Sequence, residues 1–324
     1  MARQIQFTET GGPEVLKLVD VEPRDPGPGE IRIANRTVGL NFIDIYVRTG
    51  LYPAQPPSGL GTEGAGVVDA VGEGVEDFAE GDRVAYAQGP LGAYATHVAM
   101  PAGSVIALPE AIDFETAAAS MLKGLTVQYL LRQTYAVGED DTVLFHAAAG
   151  GVGSIACQWA KALGAHVIGT VSSSEKADIA RKNGAWQLID YTKESVPERV
   201  MDLTHGAGVP VVYDSVGRDT WADSLKCLQK RGLMVSFGNA SGPVEGVNLV
   251  ELNRGGSLFV TRPSLGGYAD TRPRFEMMCA DLFAVLESGD VQVPIGQRFD
   301  LADAGAAHTA LAERRTTGST ILLP

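Results

Sequence analysis

Three stretches of this chain hold residue types whose spacing could do chemistry. Asn41-Phe42-Ile43-Asp44-Ile45-Tyr46, followed by Gly50-Leu51-Tyr52-Pro53, puts an amide and two phenols into one short segment. Such groups hydrogen-bond an oxygen on which negative charge grows, so Asn41, Tyr46 and Tyr52 are candidate donors to a reduced acceptor. They would position and donate rather than act as a strong general acid. Ala148-Ala149-Gly150-Gly151-Val152-Gly153 reads as the dinucleotide fingerprint with alanine in the first glycine place. Small residues let the backbone turn tightly against a pyrophosphate, whose charge the amides of a helix N-terminus stabilise. Gly150, Gly151 and Val152 are the candidate contacts. A plain tight loop is the alternative reading. Thr170-Val171-Ser172-Ser173-Ser174-Glu175-Lys176 stands where an NAD site usually places a carboxylate for the ribose hydroxyls. Hydroxyls and an ammonium can instead hold a 2′-phosphate, which favours NADPH and makes Ser172, Ser173 and Lys176 candidates. Glu175 is discordant, and an ordinary solvated helix residue is the alternative for Lys176.

The missing groups are as informative. Tetrahedral zinc needs thiolate, imidazole or carboxylate groups converging on one point. The five histidines, at 97, 146, 166, 205 and 308, show no such clustering, and each reads as a surface or packing residue. No metal is expected. Without a Lewis acid nothing lowers the pKa of a bound alcohol, whereas reduction of an electron-poor acceptor needs less help.

The elements that would position these residues follow two patterns. Glu22 to Glu30 holds three prolines and two glycines, which stop regular structure before the alternation at Ile31 and Ile33. Gly64-Ala65-Gly66-Val67-Val68 and Val84-Ala85-Tyr86-Ala87 read as further short strands of a β-rich domain. From about Asp113 a helix leads to the strand Thr142–Ala147, which enters the glycine turn. Val152, Ile155, Ala156, Trp159, Ala160 and Leu163 then share one helical face. Strands near residues 166–171, 187–191, 210–214 and 233–237 alternate with helices near 175–182, 197–204 and 221–229. This alternation predicts an α/β fold with a Rossmann-type, doubly wound parallel sheet, which residues 257–260 extend. The tail, with a helix near Phe275 to Leu286 and a strand near Thr320, reads as a return to the first domain.

Length and composition fit two ordinary domains: 324 residues, 45% hydrophobic and 20% charged. A net charge of −13 speaks against nucleic-acid binding. No apolar run approaches a membrane span, and the N-terminus lacks a secretory signal. Three scattered cysteines suit a reducing cytoplasm, and Cys157 reads as a packed, inert thiol.

Gly61-Thr62-Glu63-Gly64-Ala65-Gly66 and Gly81-Asp82-Arg83-Val84 resemble landmarks of the medium-chain dehydrogenases and reductases. Thr62 takes the place of a zinc-binding histidine of the alcohol dehydrogenases in that superfamily, and no cysteine precedes Cys157. The Asn41–Tyr46 stretch, Lys123-Gly124-Leu125-Thr126, His146–Gly153, Tyr213-Asp214-Ser215-Val216-Gly217 and Ser236-Phe237-Gly238-Asn239 closely resemble the zinc-free quinone oxidoreductases related to zeta-crystallin. The nearest likeness is to the bacterial NADPH:quinone oxidoreductases, over essentially the whole chain. The resemblance implies a GroES-like β-rich catalytic domain over 1–122 and 264–324 and a Rossmann NADPH domain over 123–263. It implies that Asn41, Phe42 and Asp44 lie by the nicotinamide and its ribose, with Thr126 and Tyr129 opposite. Ser173, Lys176 and Tyr191 should surround the 2′-phosphate. Ser215, Phe237, Gly238 and Asn239 should line the cofactor cleft, and Thr261-Arg262-Pro263-Ser264 with Arg314 should close it. Core packing is the alternative for Phe42 and Phe237.

The expected activity is hydride delivery from NADPH to a quinone in a zinc-free cleft between the domains. Reduction of α,β-unsaturated aldehydes or ketones is one rival. An NADPH-binding sensor or interaction protein with weak turnover is another. A homodimer through sheet edges near Ser257 to Arg262 is expected by resemblance.

Overall fold

The computed structural model describes residues 1–324. Two compact units divide it: residues 1–125, 271–287 and 293–324 form one, and residues 126–270 with 288–292 form the other.

In the first unit short strands follow one another: β1 (Ala2–Phe7), β2 (Lys17–Val21) and β3 (Glu30–Leu40). A helix α1 (Phe42–Arg48) comes next, then β4 (Ser58–Gly59), β5 (Gly64–Val71), β6 (Arg83–Tyr86), β7 (His97–Pro101) and β8 (Val105–Ala107). The alternation in β3 does what period two requires. Ile31 and Ile33 are buried, while Arg32 between them reaches outward to Asp69 and Asp25. Ile5, Phe7, Ile31, Ile33, Leu60 and Tyr86 belong to one apolar cluster. Each such side chain contributes about 1.5–3 kcal/mol on burial. Helix α2 (Phe114–Tyr129) carries the chain out of this unit, and the boundary falls within it.

In the second unit strand and helix alternate. The order is β9 (Thr142–Phe145), α3 (Gly151–Ala162), β10 (His166–Val171), α4 (Ser174–Lys182), β11 (Gln187–Asp190) and α5 (Val196–Leu203). Then come β12 (Val209–Asp214), α6 (Trp221–Cys227), β13 (Leu228–Ser236), α7 (Leu249–Arg254) and β14 (Phe259–Thr261). The six strands are ordered β11-β10-β9-β12-β13-β14, and every pairing is parallel. Their near-continuous apolar runs fit a sheet with both faces covered. The expected doubly wound sheet is therefore present. Sequence order reverses at β9, which has β10 on one side and β12 on the other, so the carboxyl end of β9 is the topological switch point.

The tail adds α8 (Leu265–Tyr268), α9 (Arg272–Glu287), β15 (Ile295–Asp300), α10 (Ala304–Ala312) and β16 (Ser319–Leu323). Strand β16 pairs antiparallel with β3 and so joins the seven-stranded sheet of the first unit. Leu282 of α9 packs where Gly124 has no side chain, and Arg272 donates to the carbonyls of Ala102, Gly103 and Val105. No helix is long and apolar enough to cross a membrane.

Helices α1, α7, α8 and α10 lie in segments where the sequence predicts no helix. All are brief, and α1 is nucleated by a cap rather than by a long apolar stripe. Close backbone packing makes one sheet residue sensitive. A Cβ on Gly66 would collide with the carbonyl of Ala34 and stand 2.9 Å from the Cα of Asn35. Gly66→Ala should lower stability by about 2–3 kcal/mol, read as a lower urea midpoint at unchanged slope. A midpoint within error of the parent would mean that β3 and β5 can part without cost.

Candidate active site

At the end of β3 the chain turns into α1 through Asn41, whose backbone N–H donates to the carboxylate of Asp44 at 2.8 Å. This is a helix cap, and it fixes where α1 begins. The side chain of Asn41 donates through Nδ2 to Glu63 Oε2 at 2.6 Å. Glu63 is wholly buried; its other oxygen accepts from the backbone N–H of Leu122 at 2.6 Å, and Lys123 Nζ stands 3.4 Å away. Removing either charge of that pair would leave the other stranded, a loss of about 3–5 kcal/mol. Gly39 is where it is because a side chain there would overlap the Glu63 carboxylate.

Asp44 is only 1% exposed. Its Oδ2 also accepts from the Tyr94 hydroxyl at 2.9 Å. That hydroxyl lies 3.1 Å from His308 Nε2, and His308 Nδ1 lies 3.3 Å from Arg48 Nη1. Because arginine can only donate and Tyr94 donates to Asp44, the imidazole must carry its proton on Nε2 and accept on Nδ1. A neutral ring is consistent with its titration: burial, aided by Arg48, pushes His308 down to about 3. Burial pushes Asp44 up to about 7, against the hydrogen bonds from Asn41 and Tyr94. The Tyr94 phenol is also pushed up, first by burial and then by Asp44.

On α1 itself Phe42 is half-buried, with its ring 6.3 Å from that of Tyr46, which meets Tyr52 edge-on at 5.3 Å. Tyr52 is anchored through its backbone N–H to the carbonyl of Tyr46 at 3.0 Å. The amide and both phenols thus gather around one short helix. Arg314 sits elsewhere in this unit, exposed and with φ at +58°.

In the second unit the glycine turn follows β9. Ala147 takes the left-handed region at φ +55°, and Gly150 precedes α3 with no side chain capping its amides. A Cβ on Gly153 would strike the carbonyl of Ala147 and lie 2.7 Å from the Cα of Ala148. That closeness is what the third glycine of such a fingerprint permits. Gly151 and Val152 open the helix, half-buried. After β10, Ser173 is committed as the cap of α4, accepting from Lys176 N–H at 3.2 Å, and Ser172 precedes it half-buried. Tyr191 follows β11 with 44% of its surface exposed, its N–H on the carbonyl of Val171 at 3.1 Å.

Past β13, Phe237 is half-buried, with its ring 5.8 Å from Phe145. Gly238 lies too near the Ser215 carbonyl to carry a side chain. Arg262 Nη1 donates to the carbonyls of Ser236 and Gly238, each at 2.9 Å, and so holds the turn that presents Phe237, Gly238 and Asn239. Pro263 follows it. Thr126 is buried, and the ring of Tyr129 stacks on Tyr268 at 4.7 Å. Cys157 is buried, which pushes its thiol up to about 12. No group of three or more His, Cys, Asp or Glu side chains is placed to hold a metal ion.

Residues 27–110 match the family model "Alcohol dehydrogenase GroES-like domain", and residues 151–275 match "Zinc-binding dehydrogenase". A quinone oxidoreductase from Pseudomonas aeruginosa is 62% identical over 325 residues, covering 100% of both chains. The chain belongs to the quinone oxidoreductases of the medium-chain dehydrogenase/reductase superfamily. Solved relatives agree in structure. The Pseudomonas syringae quinone oxidoreductase is 58% identical with a TM-score of 0.99, covering 100% of both chains. The Escherichia coli quinone oxidoreductase, solved in complex with NADPH, is 56% identical with a TM-score of 0.98, covering 99% of this chain and 100% of that one.

Within this member of the family, sequence reasoning singled out Asn41 and Asp44 but not the partners that hold them. Arg48 is one helical turn from Asp44, but Glu63 lies 22 positions from Asn41, Tyr94 lies 50 from Asp44 and His308 lies 214 from Tyr94, beyond the reach of local spacing.

The titrations of Asp44 and His308 have opposite consequences for stability. Asp44 protonates near pH 7 when folded and ordinarily near 3.8, so the fold holds the extra proton between them and loses stability as pH rises through that window. His308 is neutral in the fold down to about 3 but ordinarily protonates near 6.5, so stability falls as pH drops below 6.5. Asp44→Asn keeps an acceptor oxygen and removes only the first effect. Its Tm relative to the parent should be highest at pH 8 and decline toward pH 4.5. A Tm difference independent of pH would show that Asp44 does not titrate in this range.

Proposed function

We propose that this chain reduces quinones with NADPH, without a metal. The observation that carries the reading is the turn Ala147–Gly153, where small residues bring strand and helix backbones together below uncapped amides. A pyrophosphate fits such a cradle, because backbone N–H groups can approach it closely and no side chain intervenes. Gly150, Gly151 and Val152 would meet the pyrophosphate. Ser172 and Lys176 after β10 and Tyr191 after β11 offer hydroxyls and an ammonium for a 2′-phosphate, with Glu175 the one discordant residue; this supports NADPH over NADH. Ser215, Phe237, Gly238 and Asn239 would flank the cofactor, with Arg262 and Pro263 shaping their turn. NADPH, when bound, supplies the hydride.

The chain's own residues then have two tasks. They hold the acceptor in line, for which the aromatic group Phe42, Tyr46 and Tyr52 offers flat apolar surface. They also meet negative charge as it forms on a quinone oxygen, for which Asn41, Tyr46 and Tyr52 are neutral donors. One N–H of Asn41 is spent on Glu63, which orients the amide and leaves the second for an acceptor. A homodimer is supported by the open outer edge of β14, where Phe259 is 61% exposed and Val260 lies beside it.

The test is oxidation of NADPH and NADH against a panel of quinones and 2-alkenals, with and without a chelator. Consumption of NADPH should be preferred, fastest with 1,4-benzoquinone, and indifferent to the chelator. Calorimetry showing no affinity for either reduced nucleotide would overturn the reading. Tyr52→Phe should lower kcat with 1,4-benzoquinone by about tenfold or less, as expected for one hydrogen bond. An unaltered kcat would remove Tyr52 from the donors.

A further inference from the structure

Beneath the glycine turn lies a buried polar chain that the proposed function has not used. His146, at the carboxyl end of β9, places Nδ1 3.1 Å from the Thr170 hydroxyl at the end of β10. Its Nε2 lies 2.9 Å from the hydroxyl of Ser224 on α6. Ser224 donates to Asp214 Oδ2 at 2.9 Å, as does Thr220 at 2.7 Å. The other oxygen of Asp214 accepts from the backbone N–H groups of Val216 and Gly217 at 2.8 and 3.0 Å. At the opposite end, the Thr170 hydroxyl accepts the N–H of Ala147 at 3.2 Å.

The directions of these bonds are fixed by what each group can do. Asp214 can only accept, so Ser224 spends its proton there and must accept from His146 Nε2–H. His146 Nδ1 is then an acceptor and takes the Thr170 proton. The imidazole is a neutral link with one end for each partner, and burial holds its pKa below the ordinary value. His146, Thr170, Asp214 and Ser224 are all buried, so none of them can touch a ligand in solvent.

What the chain touches at its two ends is significant. At one end is Ala147, a non-glycine residue in the left-handed region that starts the phosphate turn. Such a conformation persists only where the surroundings impose it. At the other end is the Ser215–Gly217 turn, where Gly217 adopts φ +94°. We propose that Thr170, His146, Ser224 and Asp214 form a positioning network that sets the phosphate turn and the Ser215–Gly217 turn together, so that affinity for the nucleotide depends on residues that never contact it. The inference rests on the nucleotide reading above, and it names Thr170 and His146 as positioning residues rather than catalytic ones.

Thr170→Val preserves shape and removes the hydroxyl that joins Ala147 to His146. Its NADPH dissociation constant, measured by calorimetry without any acceptor, should rise about tenfold, the equivalent of one lost hydrogen bond to a buried partner. Thr170→Ser restores the hydroxyl without the methyl and should return the constant to within about twofold of the parent. A merely structural role would lower Tm in both variants and leave the dissociation constant alone. Ser224→Ala breaks the chain on the far side of His146, and should weaken NADPH binding even if Thr170→Val fails to fold. Parent-like NADPH affinity in a folded Thr170→Val or Ser224→Ala, or failure of Thr170→Ser to rescue, would overturn the network's role. Absence of NADPH binding by the parent chain itself would instead overturn the nucleotide reading, and this inference with it.

Discussion

Burying a carboxylate removes the water that stabilised it, and each of its lone pairs must then find a donor within the protein. This constraint organises both units of the chain. Asp214 is wholly buried, and two hydroxyls and two backbone amides surround it. Those donors come from α6 and the residue that caps it, and from the turn after β12, so satisfying one carboxylate fixes the placement of both. Glu63 does the same in the first unit. It collects the Asn41 side chain, the backbone N–H of Leu122 and the ammonium of Lys123. In each case the polar groups are held from behind, by an apolar structure that cannot yield without exposing an unpaired charge.

Asp44 is a third buried carboxyl, and its surroundings push its pKa up. Asp214 is met by donors on both oxygens. Asp44 has its Oδ2 met by the Asn41 amide and Tyr94, and it lies in the field of Glu63, which burial and like charge make unfavourable for a second anion. The chain beyond it, Tyr94 to His308 to Arg48, ends on a guanidinium whose own pKa burial depresses. Arg48 cannot surrender its proton, so this line of hydrogen bonds sets geometry and does not conduct protons to the surface. Its product is the fixed start of α1, from which Asn41 and the phenols of the segment are presented.

The parallel sheet could be read from the sequence because its signals are local. Val143, Leu144 and Phe145 form an apolar run, Gly150 to Gly153 mark a turn, and Ile155, Ala156, Trp159 and Ala160 repeat at helical spacing. Each of these is a statement about neighbours within one turn or one strand, which is the range over which periodicity carries information. The buried polar partners could not be read in this way. His146 lies in a motif that was legible, yet its link to Ser224 spans 78 positions, and the Tyr94–His308 contact spans 214. A histidine that packs and a histidine that joins two strand ends look the same in one dimension. Short elements were lost for a related reason. Helix α1 has seven residues and takes its stability from the Asp44 cap and from packing, neither of which propensity registers.

The acceptor chemistry in the proposed function follows from the same economy of charge. A carboxyl that titrates near neutrality, Asp44, is the sort of group that could deliver a proton, but it is buried with Oδ2 engaged by Asn41 and Tyr94. The groups left beside it on α1 and just after are an amide and two phenols, which under the proposed function would lower the energy of a developing oxyanion by donating hydrogen bonds. Such donors are sufficient for an acceptor whose reduced oxygen is itself a weak base, as a hydroquinone oxygen is. They are insufficient for an ordinary ketone, whose alkoxide needs a full proton or a metal at the moment of transfer. Buried charges committed to holding hydrogen-bond donors still, with none left to give up a proton, are what supports the proposed preference for acceptors that are already electron-poor.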